Sequence, residues 1–295
     1  MSAASQDYDF YKQALAGHRL PAAFVDLDAL AANLADLRAR AGHLPIRLVT
    51  KSVRSVAILR RVLAGGAPFR GLMCYSPAEA AWLASLGFDD LLVAYPSVEP
   101  EDLRAVAAQL RAGRSIPEVN ERRRATVAAL AAAGHALRFV NGGGTGSFES
   151  TRADASVTEL AAGSGLYVPT LFDHYRAFRG RPAAGFAVAV TRSPAPGIVT
   201  CAGGGYPASG PGGADRLPRP WLPAGCTLVA TEGAGEVQTP VRLPHGVSMA
   251  PGDPLLFRHA KAGELCERFN ELLLIEGGTV VDKVATYRGD GKCFF

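Results

Sequence analysis

Up to residue 182 the chain alternates short apolar runs with segments whose apolar side chains return every three or four positions. The runs predict strands and the periodic segments predict helices. Ala22 to Leu27 is the first run, and Asp28 is placed to cap a helix in which Leu30, Leu34 and Leu37 recur up to Gly42. Ile46-Arg47-Leu48-Val49-Thr50-Lys51-Ser52 comes next, with a helical pattern from Val53 to Leu63. Gly71 to Ser76 precedes a helix opened by Pro77, running from Ala78 to Leu86 and closed by Gly87. Leu91 to Tyr95 is broken by Pro96 and followed by a helix from about Glu99 to Arg111. A long helix from about Pro117 to Ala133 ends at Gly134, Leu137 to Val140 form another strand, and Thr158 to Ala162 the last of this kind. Strand alternating with helix predicts a parallel sheet.

From about Ala183 the texture changes. Ala184 to Arg192, Gly197 to Ala202, Thr227 to Thr231, Pro254 to His259, Glu271 to Glu276 and Thr279 to Val284 are short and β-rich, separated by Gly and Pro. They predict a mostly antiparallel β domain over 183–295, beside an α/β domain over 1–182. Gly203-Gly204-Gly205 and Pro211-Gly212-Gly213 read as turns within it.

Composition narrows the function classes. A chain of 295 residues, 48% hydrophobic and 20% charged, can bury one large core or two modest ones. The formal net charge of +4 is small, and the Arg122-Arg123-Arg124 triplet reads as a solvated helix face, so nucleic acid is not an expected partner. No basic leader with an apolar core and no run near the roughly 20 apolar residues of a membrane span is visible, which predicts a cytoplasmic protein. The five cysteines are widely spaced and lack a CxxC pair, so thiols rather than disulfides are expected.

Three segments carry candidate chemistry. The period-two order of the second run places Val49 and Lys51 on one face, delivering an amine to the C-terminal rim of the sheet. Asn141-Gly142-Gly143-Gly144-Thr145-Gly146-Ser147 and Gly163-Ser164-Gly165 also follow apolar runs, and both can offer clustered backbone N–H groups to an anion. An amine with two phosphate-sized cradles suggests pyridoxal 5'-phosphate held by Lys51 as a Schiff base. Asn141, Gly144, Thr145, Gly146, Ser164 and Gly165 are the candidate cofactor contacts. Tyr167 either reaches the ring or substrate or packs in the core.

Phe24-Val25-Asp26-Leu27-Asp28-Ala29-Leu30, Thr50-Lys51-Ser52, Ala94-Tyr95-Pro96, the loop 141–147 and Phe257-Arg258-His259-Ala260-Lys261 together resemble D-threonine aldolase and D-serine dehydratase relatives. These are fold-type III pyridoxal phosphate enzymes, the group that includes alanine racemase. The resemblance implies an alanine-racemase-like, TIM-type barrel with the Schiff-base lysine on its first strand. It also implies a β domain that takes in an N-terminal strand, here Ala22 to Leu27. The implied function is a lyase acting on a D-3-hydroxy amino acid, by aldolase or dehydratase chemistry, in a homodimer. An amino acid racemase and a catalytically dead, cofactor-binding paralogue are the alternatives. One departure is large: only five barrel strands are found, near Lys51, Tyr75, Tyr95, Val140 and Ala162. Three βα units, roughly 90 residues, are missing relative to an eight-stranded barrel. A gap is therefore expected between the Tyr95 and Val140 strands.

The resemblance further implies a divalent ion, Zn or Mn, on a β-domain histidine and a Cys or Asp two positions on, where it acts as a Lewis acid. His259 is present, but Lys261 stands at the second position and has no lone pair to donate. Glu264 and Cys266 lie near enough in sequence to substitute. Without a metal, His259 would hydrogen bond substrate or a core carbonyl, and racemisation or another reaction at Cα would gain ground.

Overall fold

The computed structural model describes residues 3–95, 99–101, 104, 132–134, 137–176 and 178–294. Pro96, the Arg122-Arg123-Arg124 triplet and nearly all of the helices expected over 99–111 and 117–133 lie outside the described residues. The chain divides into two compact units, Met1–Asn33 with Leu166–Gly291, and Leu34–Gly165 with Lys292–Phe295.

The second unit is built on a parallel sheet of five strands among the described residues: β2 (Ile46–Val49), β3 (Phe69–Cys74), β4 (Leu91–Val93), β5 (Asn141–Gly142) and β6 (Glu159–Ala162). Their order is β4-β3-β2-β6-β5, every pair parallel. This is the truncated TIM-type barrel that the sequence predicts, with the lysine strand at its centre. β4 and β5 are the terminal strands of the described sheet, and most of the chain between them, where a gap was expected, lies outside the described residues. Ile46, Leu48, Leu72, Leu91 and Leu160 are wholly buried, as in parallel strands covered on both faces. Each stabilises the unit by about 1.5–3 kcal/mol on removal from water.

The helices of this unit start where their sequence signals stand. α3 (Val56–Ala64) turns Ile58, Leu59 and Val62 inward. α4 (Pro77–Ser85) opens with Pro77 in its first turn, and the Ser76 side chain accepts from Glu79 N–H. The buried Glu79 carboxylate reaches back to Tyr75 N–H at 2.8 Å, so one short motif caps the helix and fixes the end of β3.

The first unit holds a nine-stranded sheet with the order β10-β11-β8-β7-β1-β13-β14, in which β12 pairs with β7 and β9 with β12. The strands are β1 (Ala22–Asp26), β7 (Ala184–Ala195), β8 (Ile198–Ala202), β9 (Arg219–Leu222), β10 (Thr227–Leu228), β11 (Gln238–Arg242), β12 (Pro254–Arg258), β13 (Glu271–Glu276) and β14 (Thr279–Ala285). Only β1 with β13 is parallel; the other pairings are antiparallel. β1 lies between β7 and β13. The amphipathic helix α1 (Ala3–Ala14) buries Tyr11 and Ala14 against Phe24, Leu222, Leu256 and Leu273.

Several local readings are corrected. β2 ends at Val49, and Lys51 sits in a 3-10 turn, Thr50–Ser52, not on the strand itself. The fourth parallel strand in chain order is Asn141–Gly142 rather than Leu137 to Val140. The cap of α2 (Leu27–Ala41) is Asp26, whose Oδ1 accepts from Ala29 N–H; Asp28 instead accepts from Gly277 N–H. β9, β11 and α1 were not expected.

Candidate active site

The parallel strands all point their C-terminal ends one way, and registers align Val49 with Met73, Cys74 with Val93, and Leu48 with Ala162. The segments that leave these ends enclose a cavity of about 280 Å³. Lys51, Tyr95, Gly144, Thr145 and Ser164 line it, with Tyr75 and Cys74 from the end of β3. The location is the one at which open and closed α/β sheets collect ligands.

Lys51 is set by the turn that follows β2. Thr50 Oγ1 donates to Met73 O at 3.0 Å, and the N–H groups of Val53 and Arg54 both return to Thr50 O. Arg54 closes the turn in the left-handed region, φ 50°, and its Nε donates to Lys51 O at 2.9 Å. The Lys51 ammonium donates to the Tyr95 hydroxyl at 2.9 Å and lies 5.2 Å from the centre of that ring. The amine is thus held at the cavity by a neighbour that can pass or accept a proton.

The glycine loop is held from below. Asn141 Nδ2 donates to Glu159 Oε1 at 2.8 Å, and Gly144 N–H donates to Ser147 Oγ. Gly143 has φ +70°, and a Cβ there would lie 2.6 Å from Thr151 Oγ1, so only glycine fits. At Gly144 an added Cβ meets nothing within 4 Å. Thr145 Oγ1 accepts from Gly165 N–H at 3.1 Å, which ties the two glycine segments together. Gly163 packs on the lysine turn: a Cβ there would stand 2.6 Å from Val49 O and 2.8 Å from Ser52 Cβ. Asn141, Gly146 and Gly165 are therefore neighbours of the cavity rather than lining residues, whereas Lys51, Gly144, Thr145 and Ser164 line it. Tyr75 and Tyr95 line it too. Their signal was their position at the ends of apolar runs, the same signal that singled out Lys51.

Beneath the cavity, two residues back along β2 from Val49, the wholly buried Arg47 makes a forked pair with Glu159, Nε to Oε1 at 2.6 Å and Nη2 to Oε2 at 2.8 Å. It also donates to Asp90 O at 2.6 Å and Oδ1 at 3.0 Å, and Arg70 stands 3.4 Å from both carboxylates. Burial works against the Arg47 charge, and the Glu159 and Asp90 carboxylates outweigh it.

The remaining candidates belong to the other unit. Tyr167 is fully buried, and burial pushes its phenol well above the ordinary range. His259 follows β12, with its carbonyl accepting from Thr170 N–H. Its Nδ1 lies 2.6 Å from Lys261 O, which places the proton on Nδ1; the Lys261 N–H at 3.3 Å is then a weaker neighbour. Nε2 is buried without a hydrogen-bond partner. Burial lowers the His259 pKa, helped by the Arg268 charge, with the backbone at Lys261 and Tyr206 and the Glu264 charge opposing. Both Glu264 oxygens are engaged by Ser209, through its hydroxyl at 2.5 Å and its N–H at 2.7 Å. Burial raises the Glu264 carboxyl, but these bonds and the Lys261 ammonium outweigh it and hold it below the usual range. Cys266 is buried nearby in the 3-10 segment Gly263–Glu267. Among the described residues no group of three or more His, Cys, Asp or Glu side chains is arranged to hold a metal ion. No described helix is long and apolar enough to cross a membrane.

No protein-family model matches the chain, and no curated protein matches it in sequence. Solved structures do match in fold. D-threonine aldolase from Filomicrobium marinum superposes with a TM-score of 0.75 at 17% identity, over 92% of this chain and 96% of that one. D-threo-3-hydroxyaspartate dehydratase from Delftia sp. HT23 gives 0.66 at 17% identity over 92% and 98%. Alanine racemase of Clostridium difficile 630 gives 0.60 at 12% identity over 91% and 99%. The chain has the fold of the fold-type III pyridoxal phosphate enzymes.

Proposed function

We propose that the protein is a pyridoxal-phosphate-dependent lyase acting on a D-3-hydroxy amino acid, of the D-threonine aldolase or D-serine dehydratase type. The observation that carries this reading is a cavity at the sheet's C-terminal rim that joins one primary amine, Lys51, to a glycine wall and a threonine hydroxyl. The names of the similar structures, an aldolase and a dehydratase of D-3-hydroxy amino acids, support it.

The residues fit the cofactor. Lys51 supplies the amine that would hold it covalently. Gly144 leaves open space where a side chain would stand, and Ser164 adds a hydroxyl. Thr145 Oγ1 accepts from Gly165 N–H and keeps its own proton to donate to an anion. When bound, pyridoxal phosphate supplies an electron sink for the pair released at the substrate's Cα. The chain's own part is to seat the phosphate on the glycine wall, to hold Lys51 against Tyr95, and to move a proton at Lys51 Nζ. A racemase is the second reading, because Lys261 stands where the aldolase-type chemistry calls for a metal donor.

Borohydride reduction followed by peptide mapping tests the assignment. The parent protein should show visible cofactor absorbance and retain cofactor mass on the peptide carrying Lys51, and Lys51→Ala should show neither. Cofactor fixed to another lysine would overturn it.

A further inference from the structure

We infer that the His259 loop carries its positive charge as an ammonium, that of Lys261, and does not bind a divalent ion. The donor set does not suit a metal. His259 has one lone pair available, on Nε2, since Nδ1 is committed to Lys261 O. A metal held by one imidazole needs further ligands, as structural sites take four and catalytic sites three from the protein. The residue two positions on offers an ammonium with no lone pair. Glu264, the nearest acid in sequence, has one oxygen on the Ser209 hydroxyl and the other on the Ser209 N–H.

The ammonium is built in rather than incidental. Lys261 Nζ donates to Ser209 Oγ at 2.8 Å and stands 3.7 Å from Glu264 Oε1. Ser209 therefore accepts from the lysine and donates to the carboxylate, a closed chain of three groups that fixes the ammonium on the segment following the histidine. The Arg268 charge acts on His259 against that of Glu264. A divalent ion bound through Glu264 would have to displace the Ser209 bonds and the Lys261 ammonium from that carboxylate. His259 Nε2 is a buried atom without a hydrogen-bond partner, and among the described residues no group of three or more His, Cys, Asp or Glu side chains stands there to complete a metal shell. The inference concerns this loop alone and stands whether or not the lyase reading holds, since its test reads no turnover.

The test is metal binding by the whole chain after dialysis against chelator. Titration of the parent with Co(II), followed by its visible bands, and with Zn(II), by calorimetry, should show no site tighter than about 1 mM. Lys261→Cys should gain one equivalent with thiolate-to-cobalt absorbance, binding at least about a hundredfold tighter than the parent. Lys261→Asp provides the same gain without a thiol should the cysteine variant fail to fold. One equivalent of Co(II) bound by the parent and lost in His259→Ala would overturn the inference. So would two folded variants, Lys261→Cys and Lys261→Asp, that both fail to take up the ion.

Discussion

Arg47→Met removes a guanidinium that makes four hydrogen bonds in the interior of the parallel sheet, two to Glu159 and two to Asp90. Glu159 is only 1% exposed, so it cannot turn to water; Asn141 Nδ2 at 2.8 Å and Arg70 at 3.4 Å are what remain to it. Breaking a buried pair from one side costs about 3–5 kcal/mol, a large share of the about 5–15 kcal/mol by which a domain is stable. At about 2–4 °C per kcal/mol for a chain of this size class, the melting midpoint should fall by about 10 °C. Arg47→Met with Glu159→Met should recover most of the loss, because an apolar pair of similar volume needs no charge compensation, and Asp90 keeps access to solvent. Urea unfolding followed by circular dichroism, run as a double-mutant cycle, gives the coupling directly. A single variant within about 1 kcal/mol of the parent, or a coupling near zero, would show that the network is ornamental.

The other outcomes concern the cavity and the surface. Gly144→Val should leave the urea midpoint unchanged, since its backbone is extended and a Cβ meets no atom within 4 Å, while weakening cofactor titration by about tenfold or more. Gly163→Ala should do the reverse first, losing about 1–3 kcal/mol of stability as its Cβ is driven into Val49 O; a neutral effect there would mean that the lysine turn yields freely. The Asp253 carboxyl is raised by burial but lowered more by Lys12 and Ala250 N–H, so its net pKa is depressed. A depressed folded pKa adds stability above the unfolded value that disappears as pH falls through the folded one. Asp253→Asn should therefore cost about 1 kcal/mol or less near neutrality, after screening at the half-exposed Lys12, and nothing near pH 2. An equal cost at both pH values refutes the ion pair.

Much of the fold was legible because its signals are local. The alternation of apolar runs with helical periods gave the parallel sheet, and Pro77 with Ser76 marked α4. The strand count of five holds among the described residues, and the two terminal strands are the two between which the gap was expected. What failed had a non-local cause. β9 and β11 are short, and Pro220 and Pro240 sit inside them, which demotes a run on propensity; pairing with β12 and β8 overrides it. Asp26 rather than Asp28 caps α2 because β1 delivers the chain one step earlier, and Tyr11 from α1 then satisfies its second oxygen. At the site, Lys51 and Gly144 were legible from spacing, but Arg47 read as one polar residue in an apolar strand. Its partners Asp90 and Glu159 lie 43 and 112 positions away, beyond any local pattern.

That unread network explains how the five strands among the described residues can carry a floor under the cavity. A closed barrel fills its interior with layers of branched apolar side chains from alternate strands, each layer needing contributions from all around the ring. The five strands among the described residues do not make a full ring, and an apolar layer across them alone would leave unpacked surface. Arg47, Glu159 and Asp90 build instead a charged plate whose bonds are directional, spanning β2, β6 and the approach to β4 without requiring a far wall. Asn141 hangs from the same Glu159, so the plate also sets where the glycine loop begins. Exchanging Glu159 for Gln keeps the shape and removes the charge, and should loosen cofactor binding through Asn141 more than it alters the lysine turn, which is fixed independently by Thr50 and Met73. A Glu159→Gln protein with unchanged cofactor affinity but lowered stability would separate the plate from the site and leave it a purely structural device.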